Sequence, residues 1–517
     1  MNKAIIRLKN SLNRGTQSLF RCDFHTSDAI NQHLEEKVIL TKDRYPNMKR
    51  GKFAELQGSH IQHFINLLGP TRVLTDPNDV EPYNIDWIKV VRGYSGIVLK
   101  PKTTQEVSEI LKFCNSERLA VCTQGGNTGL VGGSVPVFDE VILSMSLMNK
   151  VIDINPLSGT LICEAGCVLE NLDSALEEHN LMMPLDLGAK GSCHIGGNIS
   201  TNAGGLRLIR YGSLHGSVLG VEAVLANGDV MDVLNVLKKD NTGYHLRHLF
   251  IGSEGTLGVV TKASIHCPPR PKALNLAFLG TDSFKNVLNI LQLAKSCLSE
   301  ILSSCEMIDD PSISAVIRNL GVNSPIGQFP FYVLIETSGS HTAHDEEKLN
   351  AFLEKAMAES YVLDGTVTNE PSRMQVLWQL RERIAEALLK DGPVYKYDVS
   401  LPVEHFYGIV PLLQEKLRGT SAEIVTGYGH IGDGNVHLNI TSKFYDQDLV
   451  HDVIEPFVFK WVADHNGSIS AEHGIGFKKT EFLHYSKKPG AIALMKQMKT
   501  LMDPNGILNP YKVLPED

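Results

Sequence analysis

Three glycine-rich segments constrain the fold of this chain more than any other feature of its sequence. They are TQGGNTGLVGGS at 123–134, GAKGSCHIGGNISTNAGG at 188–205 and GSEGTLGVVT at 252–261. Because glycine has no Cβ atom, such segments allow several main-chain N–H groups to converge on one anion. One cluster alone is more typical of a tight turn, but three within one predicted domain favour a long, phosphate-bearing ligand. Their spacing excludes a Rossmann or a Walker motif.

The hydrophobic pattern before the first cluster predicts a strand, a helix and a second strand that runs directly into the glycines. IVLKP ends the first strand, TTQEVSEILKFCNSE has helical spacing with Thr103 or Thr104 as its N-cap, and LAVCT is the second strand. Further strands are predicted at VILSM, LICEA and VEAVLANGDVMDV. In the last of these, Asn227-Gly228 predicts a hairpin turn.

The prolines of PPRPK, residues 268–272, predict a domain boundary, because proline interrupts helices and central strands. Strands and helices alternate again beyond it, which predicts a second α+β domain. A short helical region is predicted from Phe53 to Leu68. The predicted organisation has five parts: a leader at 1–25, a helical or irregular segment at 26–90, a ligand-binding domain at 91–270, an α+β domain for substrate and metal at 271–450, and a mostly helical segment at 451–517 that completes the site.

The N-terminal segment, the net charge and the cysteine content limit the class of protein. Residues 1–21 carry five basic side chains and no acidic one, and their apolar residues share one side of a helical projection. This pattern is typical of a mitochondrial transit peptide, with a solvated basic tail as the alternative. A net charge of −9 argues against a nucleic-acid partner, and no apolar run predicts a membrane span. Nine cysteines without CxxC pairs indicate free thiols.

Together the three glycine segments resemble the flavin-binding domain of the vanillyl-alcohol-oxidase type, a domain built of two subdomains. The resemblance implies an α+β fold in which the first loop holds the FAD pyrophosphate and the later clusters run along the ribityl chain and ring. Asn127 stands where many relatives have a histidine bonded to the flavin, so the resemblance implies non-covalent FAD. The cofactor-binding residues it implies are Gln124, Gly125, Gly126, Asn127, Thr128, Gly129, Gly196, Gly197, Asn198, Ser200, Gly204 and Gly255.

The segment GYGHIGDGNVHLNI, 427–440, brings two histidines close to each other. VHLNI alternates as a strand, so His437 and Asn439 face one side, and a glycine-rich turn can return the chain to His430. The later segment SAEHGIG offers Glu472 and His473. Two histidines and a carboxylate suit zinc or a similar divalent metal. Without an HExxH-type signature, two hydrogen-bonded structural histidines are an equal alternative.

A cation is predicted to face inward from a helix at 372–390. Met374, Leu377, Trp378, Ile384 and Leu388 fall on one apolar arc of this helix, and Arg381 projects from its middle. A buried guanidinium is costly unless an anion meets it, and Lys396 of the strand YKYDVSL could meet the same anion. The alternative is an internal ion pair, for example of Arg381 or Lys396 with Asp398.

From RERIAEALLKDGPVYKYDVSLPVE, GYGHIGDGNVHLN and SAEHGIGFKK to DPNGILNP, the chain resembles the D-2-hydroxyglutarate dehydrogenase family of mitochondrial flavoenzymes. The resemblance implies that His430, His437 and Glu472 bind zinc, and that Arg381, Lys396, Asn439 and His473 contact the substrate. The resemblance also implies a substrate contact at Ala385, where a member of the family has a threonine whose hydroxyl this chain lacks. The resemblance also implies electron-transfer flavoprotein as the electron acceptor and the mitochondrial matrix as the location.

The reaction expected from these residues is hydride transfer from C2 of a D-2-hydroxy acid to flavin N5, with His473 as the general base. A D-lactate or glycolate dehydrogenase of the same superfamily is the alternative closest in chemistry. It differs in its substrate, because lactate has no distal carboxylate for Arg381 and Lys396 to bind. A second alternative is a zinc hydrolase in which the glycine loops are merely structural; such a protein would be colourless because it binds no flavin. A third alternative is a flavin-binding subunit without catalysis.

Overall fold

The computed structural model describes residues 38–516, so the predicted leader at 1–25 lies outside the described residues. The described chain forms two compact units. The first unit comprises 38–207, 211–270 and 469–516, and the second comprises 208–210 and 271–468. One division, after Arg270, falls inside the PPRPK segment. Another falls after Ser468, so the C-terminal part of the segment 451–517 belongs to the first unit.

Helices and strands are interspersed along the described chain. The α-helices are α1 Thr41–Arg44, α2 Gly58–Leu68, α3 Pro77–Asn84, α4 Thr104–Glu117, α5 Leu169–Glu177, α6 Ile195–Thr201, α7 Leu208–Tyr211, α8 Leu214–Ser217, α9 Phe284–Cys297, α10 Asp310–Leu320, α11 Thr342–Ala358, α12 Pro371–Glu382, α13 Ile384–Leu389, α14 Ile409–Lys416, α15 Glu455–Asp464 and α16 Pro489–Met502. The strands are β1 Val73–Leu74, β2 Val98–Leu99, β3 Val121–Gln124, β4 Val141–Ser144, β5 Val151–Asn155, β6 Thr160–Glu164, β7 Val218–Val224, β8 Val230–Val233, β9 Val259–His266, β10 Ala273–Thr281, β11 Leu302–Asp309, β12 Phe331–Gly339, β13 Asp364–Thr368, β14 Val394–Ser400, β15 Ala422–His430 and β16 Asn435–Ser442.

The first unit contains two sheets. One has the strand order β1-β2-β4-β3, in which β4 pairs parallel with both β2 and β3, and the other has the antiparallel order β5-β6-β9-β7-β8. The predicted connection from β2 through α4 to β3 is confirmed, and Thr103 caps α4 by accepting from the N–H of Glu106. The hairpin predicted at Asn227-Gly228 is confirmed between β7 and β8, where Gly228 has a φ of 88°.

The second unit is built on one antiparallel sheet with the order β13-β10-β12-β11-β15-β16-β14. Helices α10, α12 and α13 pack their apolar residues on the face that includes Ile308 and Tyr428. Asp309 ends β11 and caps α10, because its carboxylate accepts from the N–H of Ser312, and it also accepts from the N–H of Gly427 in β15. Burial raises the pKa of Asp309 to about 6, although these hydrogen bonds oppose the shift.

Both units combine helices with sheets, so the predicted α+β class is confirmed.

Three predicted elements differ from the structure. The helix expected at 372–390 is broken at Arg383 into α12 and α13. The helical region expected from Phe53 begins only at Gly58. The segment 451–517 contains α15 and α16 but no α-helix at 465–488. Within residues 38–516, no helix has both the length and the apolar character to cross a membrane.

Candidate active site

A cleft that is open to solvent lies within the first unit, between the three glycine segments and beside His473. β3, α6 and the loop that precedes β9 supply its walls. These walls include the following residues expected to bind the cofactor: Gly125, Gly126, Asn127, Thr128, Gly129, Gly196, Gly197, Asn198, Ser200 and Gly255.

At two of these glycines, neighbouring protein atoms leave no room for a Cβ atom. A Cβ atom at Gly126 would lie 2.0 Å from the backbone oxygen of Ser192, and one at Gly196 would lie 2.5 Å from the Cβ atom of Ala165. No side chain is accommodated at these distances. The first two glycine segments therefore meet backbone against backbone at Gly126 and Ser192.

Three buried polar atoms of residues that line the cleft have no hydrogen-bond partner in the described part of the chain. They are Thr123 Oγ1, His194 Nδ1 and Asn198 Oδ1. An unpartnered buried polar atom costs about 1–3 kcal/mol, so three together are the expected signature of a site shaped for a polar ligand. Burial also lowers the pKa of His194, which favours its neutral form. The glycine walls and the unpaired atoms fit FAD.

Glu254, in the third glycine segment, anchors the loop that carries His473. Its two carboxylate oxygens accept from the N–H groups of Ile475 at 2.7 Å and Gly476 at 2.8 Å. Gly474 and Gly476 have φ angles of 82° and 52°, which let the backbone wrap around this carboxylate. Burial raises the pKa of Glu254. His473 is therefore held at the cleft by a carboxylate that the sequence did not single out.

The second unit brings His430 and His437 together on the β15–β16 hairpin. Their Nε2 atoms are 3.3 Å apart. A carboxylate lies behind each ring: His430 Nδ1 donates to Glu306 at 2.7 Å, and His437 Nδ1 is 3.9 Å from Asp398. A histidine that donates from Nδ1 keeps the lone pair of Nε2 available for a metal.

The separation of the two Nε2 atoms fits a metal ion. Zinc–nitrogen bonds of about 2.0–2.1 Å at tetrahedral angles require nitrogen atoms about 3.3 Å apart. The observed separation of His430 Nε2 and His437 Nε2, 3.3 Å, satisfies this condition. The histidine pair therefore has the donor type, the spacing and the carboxylates behind the rings that a divalent metal requires.

Arg381 is buried, with 6% of its surface exposed, and it pairs with Glu306, which is 0% exposed. Its Nε atom donates to Glu306 Oε2 at 2.8 Å, and its guanidinium lies 4.9 Å above the ring centre of Tyr428. The internal ion pair that was the alternative is thus present, but with Glu306 in place of Asp398. The two Nη groups make no hydrogen bond with any described residue, so the fork that binds carboxylates remains available.

Strand pairing places the other candidate residues on the same sheet face. Lys396 lies opposite Asn439, and Asp398 lies opposite His437. Asn439 donates to the hydroxyl of Tyr428 at 2.8 Å. A cation, an amide and the histidine pair therefore share one surface of β14, β15 and β16.

Three expected site residues, Gln124, Gly204 and Ala385, have other surroundings. The Gln124 side chain is buried and donates to the backbone oxygens of Tyr83 and Ser134, which ties down the first glycine loop. Within the first unit, Gly204 packs against Glu472, since a Cβ atom at Gly204 would lie 3.1 Å from that of Glu472. Ala385 is half-buried in α13.

Sequence reasoning missed Glu306, Tyr428, Glu254 and His194. The one signal for Glu306 was a single acidic residue in the middle of the otherwise small and apolar strand SSCEMI. Burial alone would raise its pKa, but the neighbouring His430 and Arg381 lower the pKa of Glu306 to about 2. The carboxylate is therefore ionised, and its partners could be identified only from the folded chain.

Comparison with known proteins assigns the chain to a family. The model of the FAD binding domain matches residues 96–234, and the model of the C-terminal domain of FAD linked oxidases matches residues 270–513. The mitochondrial D-2-hydroxyglutarate dehydrogenase of Danio rerio is 57% identical over 454 residues, which cover 88% of this chain and 85% of that protein. The Bos taurus protein of the same name is 54% identical over 479 residues, with 93% and 87% covered.

The chain belongs to the D-2-hydroxyglutarate dehydrogenase family of FAD-dependent oxidoreductases. Its fold is also that of p-cresol methylhydroxylase, whose crystal structure with substrate bound is similar with a TM-score of 0.72 at 17% identity, covering 88% of this chain and 96% of that one. The predicted vanillyl-alcohol-oxidase-type fold and the FAD cofactor are thereby confirmed. Membership of this family also excludes the zinc hydrolase and the flavin subunit without catalysis.

Proposed function

We propose that this member of the family oxidises D-2-hydroxyglutarate to 2-oxoglutarate. The observation that carries the proposal is the sheet face that combines the histidine pair with Arg381, whose two Nη groups make no hydrogen bond with residues 38–516. A 2-hydroxy acid with a distal carboxylate has one end suited to a metal and another suited to a guanidinium fork. The names of the relatives from Danio rerio and Bos taurus support the same substrate.

Each residue has a proposed role. Arg381 and Lys396 bind the distal carboxylate, and Asn439 orients the substrate through its amide. His473 accepts the proton of the C2 hydroxyl when the C2 hydrogen leaves as hydride. Both electrons thus leave with the hydrogen, and the product is the 2-oxo acid. Arg381 and Asn439 are already oriented by Glu306 and Tyr428, which reduces the entropy lost on substrate binding.

Two bound groups would supply chemistry that side chains lack. FAD, when bound, is the hydride acceptor, held by the glycine segments without a covalent bond, because Asn127 carries no ring nitrogen for such a link. A divalent metal, for which the histidine nitrogens and a carboxylate favour zinc, lowers the pKa of the C2 hydroxyl when bound. We propose His430, His437 and Glu472 as its ligands.

The electron acceptor and the location are also proposals. We propose that reduced FAD is reoxidised by electron-transfer flavoprotein in the mitochondrial matrix. The names of the relatives place those proteins in mitochondria. The basic, acid-free residues 1–21 support import of this chain.

The test is anaerobic bleaching of the flavin absorbance near 450 nm by D-2-hydroxyglutarate and by D-lactate. We expect fast bleaching by the dicarboxylate, loss of the reaction after chelator treatment and recovery with zinc. Bleaching by D-lactate alone would instead favour a D-lactate dehydrogenase. Bleaching that survives complete metal removal would eliminate the metal from the proposal.

A variant at Arg381 should affect the oxidation of D-2-hydroxyglutarate and of D-lactate to different extents. Arg381→Lys keeps a positive charge but removes the fork, and loss of one charge-assisted hydrogen bond costs about 1.5–3 kcal/mol, or roughly 10- to 150-fold in kcat/KM. We expect this loss for D-2-hydroxyglutarate and a much smaller one for D-lactate. Equal losses for both substrates would contradict a role in binding the distal carboxylate.

A further inference from the structure

Glu306 joins the two halves of the candidate site in the second unit. Its Oε1 atom accepts from His430 Nδ1 at 2.7 Å, and its Oε2 atom accepts from Arg381 Nε at 2.8 Å. We infer that Glu306 is a positioning residue that couples the metal-binding histidine to the substrate-binding arginine. The inference rests on the proposed function, since it assumes a metal on His430 and a substrate carboxylate on Arg381.

The surroundings of Glu306 favour this arrangement over a loose surface pair. The residue lies in β11 and is completely buried. Its three described hydrogen bonds come from His430, Arg381 and, at 3.2 Å, the hydroxyl of Ser304. A buried carboxylate without partners would cost several kcal/mol, so the position requires donors on both oxygens.

Toward the metal, Glu306 sets the tautomer and the ring orientation of His430. A carboxylate only accepts hydrogen bonds, so His430 carries a proton on Nδ1, and the neutral ring that binds a metal then has its lone pair on Nε2. That lone pair points to the place that the Nε2 atom of His437 also faces, at 3.3 Å. Removing such a carboxylate from behind a ligand histidine typically lowers metal affinity 10- to 100-fold.

Toward the substrate, Glu306 holds one edge of the Arg381 guanidinium while Tyr428 packs against its face at 4.9 Å. These two contacts fix both the plane and the rotation of the group. The Nη edge is consequently presented to the substrate as a rigid fork, and rigid orientation of a bidentate donor favours recognition of carboxylates.

No neutral residue can perform both tasks. In Glu306→Gln the side chain has one carbonyl oxygen, which can accept from His430 or from Arg381 but not from both. Its NH₂ group would then face a donor. The substitution therefore breaks one half of the link and weakens the other, at almost unchanged volume.

The experiment compares the full-length wild-type protein with Glu306→Gln and with the control Glu336→Gln. Glu336 is a buried carboxylate of the neighbouring strand β12 that accepts from Ser303, so its loss reports the general cost of removing a charge from this sheet. The first readout, without substrate, is zinc affinity by competition with a chelating dye. We expect a 10- to 100-fold loss for Glu306→Gln and less than threefold for Glu336→Gln.

The second readout is the separation of kcat and KM for D-2-hydroxyglutarate with zinc at saturation. Loss of the orientation of Arg381 raises KM at least tenfold, whereas a merely structural defect lowers the active fraction and leaves KM unchanged. Wild-type zinc affinity and wild-type KM in Glu306→Gln would overturn the inference. A change in only one readout would also overturn it, since coupling requires both.

Failure of the proposed function is recognised separately with His430→Asn. If the wild type bleaches with D-2-hydroxyglutarate while His430→Asn binds zinc as tightly as the wild type, the histidine pair is not the metal site. That result overturns both the proposed ligands and the coupling. If His430→Asn loses zinc while Glu306→Gln matches the wild type, only the role of Glu306 is overturned.

Discussion

Replacement of Glu254 by glutamine tests how the first unit holds His473. The wild-type carboxylate accepts from two successive backbone N–H groups, those of Ile475 and Gly476, through separate oxygens. Glutamine offers one acceptor, and its NH₂ group would be turned toward the other N–H. One buried backbone donor then remains unpaired, at a cost of about 1–3 kcal/mol.

This cost falls on the loop that carries the proposed general base. A penalty of about 1–3 kcal/mol lowers the population of the native loop conformation roughly 5- to 150-fold relative to displaced ones. A base displaced by about 1 Å can lose roughly 100-fold in rate. We therefore expect at least a tenfold slower reduction of the flavin by saturating D-2-hydroxyglutarate in Glu254→Gln, measured by anaerobic stopped-flow absorbance.

The chain provides a matched control for this prediction in Glu140. Its two carboxylate oxygens also accept from successive N–H groups, those of Val137 at 3.0 Å and Phe138 at 2.7 Å, and it is equally buried. Glu140→Gln should lower the melting temperature by a similar few degrees and leave the reduction rate within twofold. If both variants reduce the rate equally, or if Glu254→Gln reacts like the wild type, the positioning argument is refuted.

Three further substitutions have defined outcomes. Gly126→Ala should abolish FAD retention because its Cβ atom would lie 2.0 Å from a backbone oxygen, whereas Gly188→Ala meets no atom within 4 Å and should retain FAD, as measured by the flavin content of the purified proteins. Asp309 has a pKa raised from 3.8 to about 6, so the folded state binds its proton more tightly and stability falls as pH rises from 4 to 6. Asp309→Asn should remove roughly 3 kcal/mol of this fall in denaturant unfolding, and an unchanged slope would contradict the assignment. Tyr428→Phe keeps the ring beside the guanidinium but loses the hydrogen bond to Asn439, so KM should rise about 2- to 12-fold while flavin content and kcat are unchanged.

The sequence determined those features that depend on neighbours along the chain. The alternation of VHLNI placed His437 and Asn439 on one face, and the structure confirms that face in β16. The glycine segments marked the cleft because their composition alone prevents side chains from filling it. The apolar arc predicted for the helix at 372–390 is buried except for Trp378, which is half-buried, and Arg381 is among the buried residues.

Only the tertiary structure decided which groups meet across long separations. Glu306 lies 75 residues before Arg381 and 124 before His430, and it reaches them because β11 pairs with β15 at the centre of the sheet. No local pattern encodes that pairing, so the sequence offered Asp398 only as one example of an internal partner for Arg381 or Lys396 and did not point to Glu306. The anchoring of His473 by Glu254, 221 residues before Ile475, was hidden for the same reason. Periodicity fixes the face on which a side chain lies, but the charge that neutralises a buried group is chosen by the packing of distant strands and loops.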